Sequence, residues 1–460
     1  MTFSDYIDYL RGKRIGVIGF GVSNQPLVRV LLQNGCDVTV CDRRERAQLG
    51  APGDEAAAQG AKFALGADYL EHLDFDVIFR TPGVLPIVPQ LRKAAQNGAI
   101  LTSEMEAFCN LCPCRILAIT GSDGKTTTST ITAELLRAQG YTVHLGGNIG
   151  TPLFDRIADI RPDDFAVLEL SSFQLHGMHC APDVAIITNI SPNHLDVHPD
   201  LEDYVSAKCS IYRGQRPDGV LVLNAKDAHT PRFAAEAPGS VRYFSSVGPV
   251  ENGVYCSDGV IYRAHGGKAE KLIDVSDIRI PGAHNVENYM AAFAATDGLV
   301  GQAACVQVAR SFAGVPHRME RIRELNGITF INDSIASSPT RTIAGLHALP
   351  KPPVIILGGH DKHIPFDELG DEVCLHAKAA VVVGETAQRI AAAIRGSKFY
   401  DPGKLPLVEA QDFRAAVETA YRLAQPGDTV TLSPACSSFD FFKNFAERGD
   451  TFRAIVESLQ

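Results

Sequence analysis

The sequence has no basic excess: its 460 residues carry 43 Lys+Arg against 53 Asp+Glu, a formal net charge of −10. A general nucleic-acid binder would show a basic footprint, so that class is excluded and no nucleic-acid partner is expected. Nor is there an uninterrupted apolar run near the ~18 residues that a bilayer-spanning helix needs, so no membrane partner is expected. Low-complexity tracts are absent as well. The 11 cysteines are odd in number and scattered, unlike a secreted disulfide framework. One cluster, Cys109-Asn-Leu-Cys112-Pro-Cys114, lacks a second Cys/His pair at finger spacing, so it reads as buried or incidental thiols ahead of a metal site. Asp5 and Asp8 precede the first strand-like segment, unlike a signal peptide, and with the thiol usage this points to a cytoplasmic protein.

What is present is the composition of an ordinary soluble globular protein, with 45% hydrophobic and 21% charged residues, too apolar for disorder. At about 150 residues per domain the length suggests about three domains. Three segments share one order of events, a short apolar strand, a glycine turn and a helix-compatible stretch: RIGVIGFGVSN (14–24), RILAITGSDGKTTT (115–128) and PPVIILGGHDK (352–362). Each reads as the first βα unit of a parallel sheet, whose ligands bind at the carboxyl ends of the strands. Further buried strands are expected at FDVIF, FAVLEL, VAIIT, AAVVVG and TVTLS. From 219 to 280 the texture changes to short strands and Gly/Asp/Asn turns, predicting a small mixed or antiparallel sheet inserted in the middle domain. Boundaries near 103 and 314 give domains 1–103, 104–314 and 315–460.

The three turns differ in what they say. In the first, Gly19-Phe-Gly21-Val-Ser-Asn24 is followed by Asp42 at the end of the next strand, where an acid can accept a ribose hydroxyl. The third glycine of the dinucleotide pattern is replaced by Asn24, so NAD, another nucleotide diphosphate and a purely structural turn all stay open. The second turn is sharper. Gly121, Ser122, Asp123 and Gly124 let backbone N–H groups converge on phosphate, Lys125 reaches the β/γ oxygens, and Thr126, followed by Thr127, can hold Mg²⁺. A full P-loop would place another glycine at 119, where this chain has Ile. Context favours an ATP site over a surface turn.

Candidate ligands follow at strand ends. Glu169 closes FAVLEL, where a carboxylate can coordinate Mg²⁺, and His194 and Asp196 lie beyond the next strand. Alone, His194 reads as a satisfied loop histidine, and Lys208 as a solvated lysine. Asn285 and Asn288 share a helix face, Arg318 sits in HRMERI, and Asp333 ends TFIND. Taken singly, each reads as capping or surface pairing. LSPACSSFDFFKNFAERGD joins a strand end, serines, aromatics and Lys443, as a small-anion pocket does.

In this order the segments GSDGKTTT, LGGNIGTPL, LELSSFQL, NHLDVH, SAKCSIY, PGAHNVEN, PHRMERI, FINDSIASSPT and LSPACSSFDFFKNFAERGDTF resemble the Mur ligases nearly end to end. The last is the most specific and points to the glutamate-adding branch. The resemblance implies a Rossmann-like N-terminal domain for the UDP end of the substrate. It also implies a central P-loop-type ATPase domain with a mainly parallel sheet plus the small β insert, and a Rossmann-like C-terminal domain for the amino acid. The activity implied is ATP-dependent amide formation between UDP-N-acetylmuramoyl-L-alanine and D-glutamate, in a monomer. ATP, two Mg²⁺ and a CO₂-derived carbamate on Lys208 would be the cofactors. Carried over by position, Gly121–Thr127 hold ATP phosphates, with Lys125 catalytic. Thr126, Glu169, His194 and carbamylated Lys208 hold the metals. Asn285, Asn288, Arg318 and Asp333 complete the ATP site. Ser23, Asp42, Arg43, Asn148 and Ser171 face the UDP substrate, and Lys362, Ser438 and Phe445 face D-glutamate. One departure is visible: many relatives carry Lys where this chain has Ile335. The competing readings are a folylpolyglutamate-type ligase, an NAD-binding dehydrogenase resting on GFGVSN and Asp42, and a non-catalytic ATP-binding switch.

Overall fold

The computed structural model describes every residue except Thr151, Leu195, Asp196, Lys362 and His363. The chain divides into two compact units, Met1–Phe312 and Ala313–Gln460. The fold is mixed α/β with three sheets, most of whose strand pairs are parallel.

In the first unit, a five-stranded parallel sheet has the order Lys62–Leu65, Asp37–Asp42, Arg14–Ile18, Val77–Arg80, Ile100–Thr102. Its middle strands are apolar almost throughout because helices cover both faces: Ile15, Val17, Val40, Ile78 and Phe79 are at most marginally exposed. The same unit holds a nine-stranded sheet. Its order is Lys268–Asp274, Val260–His265, Gly253–Ser257, Ser240–Ser245, Val220–Asn224, Val184–Ile187, Arg115–Thr120, Phe165–Glu169, Val143–Gly147. The pairs from Gly253–Ser257 to Val143–Gly147 are parallel, and the two outermost pairs are antiparallel. The strands of 219–280 are therefore the mixed edge of the central sheet. Val220–Asn224 pairs with Val184–Ile187 on one side and Ser240–Ser245 on the other, which satisfies ladder groups that a detached sheet would expose on extra edges.

Three adjacent strands of this sheet, Arg115–Thr120, Phe165–Glu169 and Val184–Ile187, end at one edge, and the central glycine turn, Glu169 and the segment leading to His194 leave from there. The first of these strands is buried from Ile116 to Thr120 and the second throughout, so their ends are placed by a rigid core. Arg80, at the end of its strand in the five-stranded sheet, is buried. Its guanidinium donates to the carbonyls of Phe173 and His176, tying that strand to the segment following Glu169. Burial pulls its pKa down to about 10.

The second unit has a six-stranded sheet in the order Glu320–Leu325, Ile328–Asn332, Thr429–Leu432, Val354–Leu357, Ala379–Val382, Leu407–Glu409. The first pair is antiparallel and the rest are parallel. All eleven cysteines are free thiols, and Cys112 and Cys114 place their sulfurs 3.4 Å apart. Among the described residues no helix is long and apolar enough to cross a membrane.

Candidate active site

The central glycine turn is built for close approach. Gly121 has φ +147° and Gly124 φ +77°. A Cβ on the first would lie 1.9 Å from Thr188 Oγ1, and on the second 2.3 Å from Asn288 Oδ1. The following helix, Lys125–Ala138, starts at Gly124 without a side-chain cap, so its first N–H groups are left for a ligand. By contrast, the helix Leu201–Arg213 is capped by Asp200, whose Oδ1 accepts from Asp203 N at 2.8 Å. Lys125 Nζ folds back on its own loop, donating to the carbonyls of Gly121 (2.8 Å) and Ser122 (2.7 Å). Thr126 and Thr128 are buried. Thr128 Oγ1 donates to Asn288 Oδ1 at 3.2 Å, and Asn288 Nδ2 donates to Asn285 Oδ1 at 3.2 Å. Of the two helix-face asparagines singled out in the sequence, Asn288 thus stands against the glycine turn and Asn285 backs it.

Glu169 ends the neighbouring strand at 2% exposure, deep enough that each oxygen needs a partner. Asn148 Nδ2 donates to Oε1 at 3.0 Å, while Oε2 finds no hydrogen-bond partner among the described residues. A buried, unsatisfied carboxylate oxygen beside a glycine turn with free helix-start N–H groups is the donor that a hard cation takes, so the residues fit Mg²⁺. Lys208 is equally buried. Its Nζ donates to Gly121 O at 2.8 Å and lies 4.5 Å from the centre of the Tyr204 ring. Burial, and then repulsion from Lys125, push its pKa well below the usual lysine range. His194 has φ +56°, and its ring packs edge-on against Phe173 at 4.9 Å and lies 6.4 Å from Tyr204. Ser171 caps the short helix Ser172–Leu175, in a reciprocal box with Gln174. Asp196 lies outside the described residues.

Three residues that the sequence reading passed over brace this loop. Thr188 Oγ1 donates to Asp123 O at 2.6 Å, Asn189 Oδ1 accepts from Asp123 N at 3.0 Å, and the Tyr204 hydroxyl pairs with Ser122 Oγ at 2.9 Å. The available signal was position: Thr188 and Asn189 follow the strand Val184–Ile187 at the same edge as Glu169.

The N-terminal turn is organised differently. Both carboxylate oxygens of Asp42 are engaged. Oδ2 accepts from Phe20 N at 2.7 Å, Oδ1 accepts from Arg44 N at 2.9 Å, and the Arg44 guanidinium binds both. Burial works to raise this carboxyl's pKa, but the Arg44 and backbone hydrogen bonds outweigh it and hold it at about 2. Asn24, in place of the third glycine, is buried, and its Nδ2 donates to the carbonyls of Gly19 (2.8 Å) and Ile18 (3.2 Å). Ser23 is half-buried at the start of the next helix without a side-chain capping bond, and Arg43 is exposed.

In the second unit, Asp333 is buried beyond its strand. Its Oδ1 accepts from Met319 N at 3.1 Å and its Oδ2 from Ser433 Oγ at 3.0 Å. Burial raises its pKa to about 6, against the pull of these bonds and of the nearby Arg318 charge. Arg318 itself is exposed. Ile335 is half-buried, and Arg341 places its guanidinium 3.3 Å from the Ile335 carbonyl, so a cation does stand at this loop. Ser438 is buried, its carbonyl receiving the N–H of Phe442 at 2.8 Å, and Phe445 opens the last helix at 40% exposure. Lys362 lies outside the described residues. The sequence reading missed Arg448. Fully buried, it donates to Ser334 Oγ (3.0 Å) and O (2.9 Å) and to the carbonyls of Cys436 and Ser437 (3.1 Å each), clamping two strand-end loops together.

Comparison with known proteins agrees with this arrangement. Residues 119–296 match the profile described as Mur ligase middle domain, and residues 317–436 match that described as Mur ligase, glutamate ligase domain. The chain is 45% identical, over 99% of its length and 99% of the relative's, to UDP-N-acetylmuramoylalanine--D-glutamate ligase of Acetivibrio thermocellus. It is 43% identical to the protein of the same name from Clostridium kluyveri, over 100% and 99% of the two chains. Among solved structures, MurF from Acinetobacter baumannii covers the whole chain with a TM-score of 0.56 at 19% identity, over 93% of its own length. MurC from Thermotoga maritima covers 97% of this chain and 99% of its own, with a TM-score of 0.53 at 17% identity, a likeness of fold. The chain belongs to the Mur ligase family.

Proposed function

We propose that this chain is an ATP-dependent ligase that joins D-glutamate to UDP-N-acetylmuramoyl-L-alanine in peptidoglycan precursor synthesis. The observation that carries the reading is the pairing of an uncapped phosphate loop with the unsatisfied Glu169 Oε2 on the adjacent strand. The names of the full-length relatives support the choice of substrates. The three sheets support a division into domains 1–103, 104–314 and 315–460, for the UDP end, ATP and the amino acid. One chain supplies every candidate group, so a monomer in the cytoplasm suffices.

A carboxylate is a poor electrophile because an oxide-like group does not leave. Transfer of the ATP γ-phosphoryl to the alanyl carboxylate makes an acyl phosphate. The D-glutamate amine then attacks its carbonyl carbon, and phosphate departs from the tetrahedral intermediate. Lys125 exchanges its carbonyl contacts for phosphate oxygens, and the N–H groups at the start of its helix hold the same anion. Thr126, Glu169, His194 and Lys208 would hold two Mg²⁺, which when bound neutralise charge on the phosphoryl oxygens. Lys208 joins that set as a carbamate: its neutral amine attacks the carbon of CO₂, an N–C bond forms, one C=O electron pair becomes the carboxylate, and a proton leaves nitrogen. Burial with only neutral acceptors, Gly121 O and Thr120 Oγ1, among the described residues supports this, since a new anion there suits a cation better than an ammonium does. Asn285, Asn288, Arg318 and Asp333 serve the nucleotide. Asn148, Ser171, Ser23 and Arg43 serve the UDP substrate, Asp42 supports the turn beside it, and Ser438, Phe445 and Lys362 serve glutamate.

The test is phosphate release from ATP with UDP-N-acetylmuramoyl-L-alanine, comparing D-Glu, L-Glu and other amino acids. Release that depends on D-Glu, with matching amide product, is expected. Release without an amide, or indifference to the amino acid, overturns the assignment. For the carbamate, Lys208→Ala is expected to lose rate and regain part of it with added short carboxylates. Full rate in this variant removes the carbamate from the mechanism.

A further inference from the structure

The second unit carries a group of side chains to which the proposed ligase chemistry gives no part. His347 lies in the last turn of the helix Pro339–Ala348, and Glu372 and His376 lie one turn apart on the helix Asp367–His376, which packs beside it. Residues four apart on a helix share a face, and here that face meets His347. Glu372 Oε2 stands 2.6 Å from His347 Nε2 and 3.3 Å from His376 Nε2. The two imidazole rings stand edge to face with centroids 4.7 Å apart, and the three candidate ligand atoms all lie within 4.8 Å of one another. His347 and His376 are about half exposed, whereas Glu372 is largely covered.

We propose that His347, Glu372 and His376 bind a divalent transition-metal ion of the zinc class, which clamps the two helices together. A four-coordinate ion with bonds of about 2.0–2.1 Å sets its ligand atoms roughly 3.3 Å apart, a spacing that small side-chain rotations reach from the observed arrangement. Two imidazole nitrogens and one carboxylate oxygen are borderline donors that suit Zn²⁺, Co²⁺ or Ni²⁺. Mg²⁺ prefers an oxygen octahedron, so the site is chemically distinct from the Glu169 site. Exposure of both imidazoles leaves the remaining coordination position to water.

The clamp has a structural consequence. The helix Pro339–Ala348 also carries Thr342, whose Oγ1 donates to Ser433 O at 3.2 Å, and Gly345, where a Cβ would lie 3.0 Å from Asp333 Oδ2. An ion held at the end of this helix therefore pins the element that braces Asp333.

The experiment is a titration of metal-free full-length protein with Co²⁺, read by its visible absorption bands, in wild type and in His347→Ala and His376→Ala. Wild type is expected to bind one equivalent more than either variant, or to bind that equivalent at least about 100-fold more tightly. Zn²⁺ is expected to raise the melting temperature of wild type and not of the variants. The same stoichiometry and affinity in all three proteins overturns the proposal. Because both positions are half exposed, the variants are expected to fold, and with Mg²⁺ as the only metal added, so that no protein carries the clamp ion, their phosphate release is expected to match wild type. The outcome is thus independent of the ligase reading.

Discussion

Two glycine turns of the first unit look alike in sequence and differ in what they leave undone. At the N-terminal turn the two buried polar side chains are satisfied internally, Asp42 by Arg44 and two N–H groups and Asn24 by two carbonyls; the helix there also lacks a side-chain cap, but the N–H groups of Asn24 and Gln25 bond to Gly21 O. At the central turn the accounts stay open: one Glu169 oxygen lacks a partner among the described residues, the helix starts without a side-chain cap, and among the described residues buried Lys208 finds only neutral acceptors, Gly121 O and, at 3.5 Å, Thr120 Oγ1. A strand–glycine–helix pattern therefore says only that a backbone turn is tight. Buried groups left unsatisfied are what mark the turn that takes a charged ligand.

The largest expected effect falls on the open turn. Lys125→Ala removes the cation at the transferring phosphoryl and is expected to lower D-glutamate-dependent phosphate release by on the order of 10³-fold, with little change in melting temperature. Undiminished release would place the two turns on an equal footing. Gly121→Ala comes next. Its φ of +147° and the 1.9 Å approach to Thr188 Oγ1 leave no room for a methyl group, so a stability loss of about 2–4 kcal/mol is expected in denaturant melts, together with loss of ATP turnover.

The contrast also explains how much could be read in advance. The α/β class, the parallel strands and the central strand–glycine–helix turn were legible because strand, glycines and Lys125 all fall within one short stretch, where local chemistry suffices. Glu169 was legible as a polar end to an apolar strand. The braces were not, because they join residues far apart in sequence: Asn189 to Asp123 across 66 positions, and Arg448 to Ser334 across 114. No local pattern marks a buried arginine that binds carbonyls. Asn24 misled in the opposite sense, since a missing glycine reads as a broken motif, whereas its side chain closes the turn from within. The 219–280 segment showed its short strands but not the sheet edge they join, since pairing partners are set by tertiary context.

A medium effect is expected at the closed turn, and it concerns stability. The Asp42 carboxyl is held at about 2 against an ordinary 3.8, so the folded state prefers the ionised form. A depressed carboxylate adds stability that is fully present above about pH 4 and is lost as pH falls from there towards 2. Allowing for solvent screening at the 40%-exposed Arg44 side chain, Asp42→Asn is expected to cost about 1–2 kcal/mol at neutral pH, and the gap to wild type should narrow from about pH 4 and close as pH falls through about 2. A gap that persists in acid would mean that the loss comes from packing and not from charge.

The smallest effect sharpens the comparison most. Gly21 is the second glycine of the N-terminal turn as Gly124 is of the central one, yet its φ is not in the left-handed region and a Cβ there meets nothing within 4 Å. Gly21→Ala is therefore expected to change stability by less than about 0.5 kcal/mol. If the turn is only a structural corner, the KM for UDP-N-acetylmuramoyl-L-alanine is unchanged as well. If a diphosphate approaches the backbone at this point, the added methyl raises that KM severalfold while kcat and the melting temperature stay as they were. Measured beside Gly121→Ala, this variant separates a glycine needed by the fold from one needed by a ligand, which the shared sequence pattern cannot do.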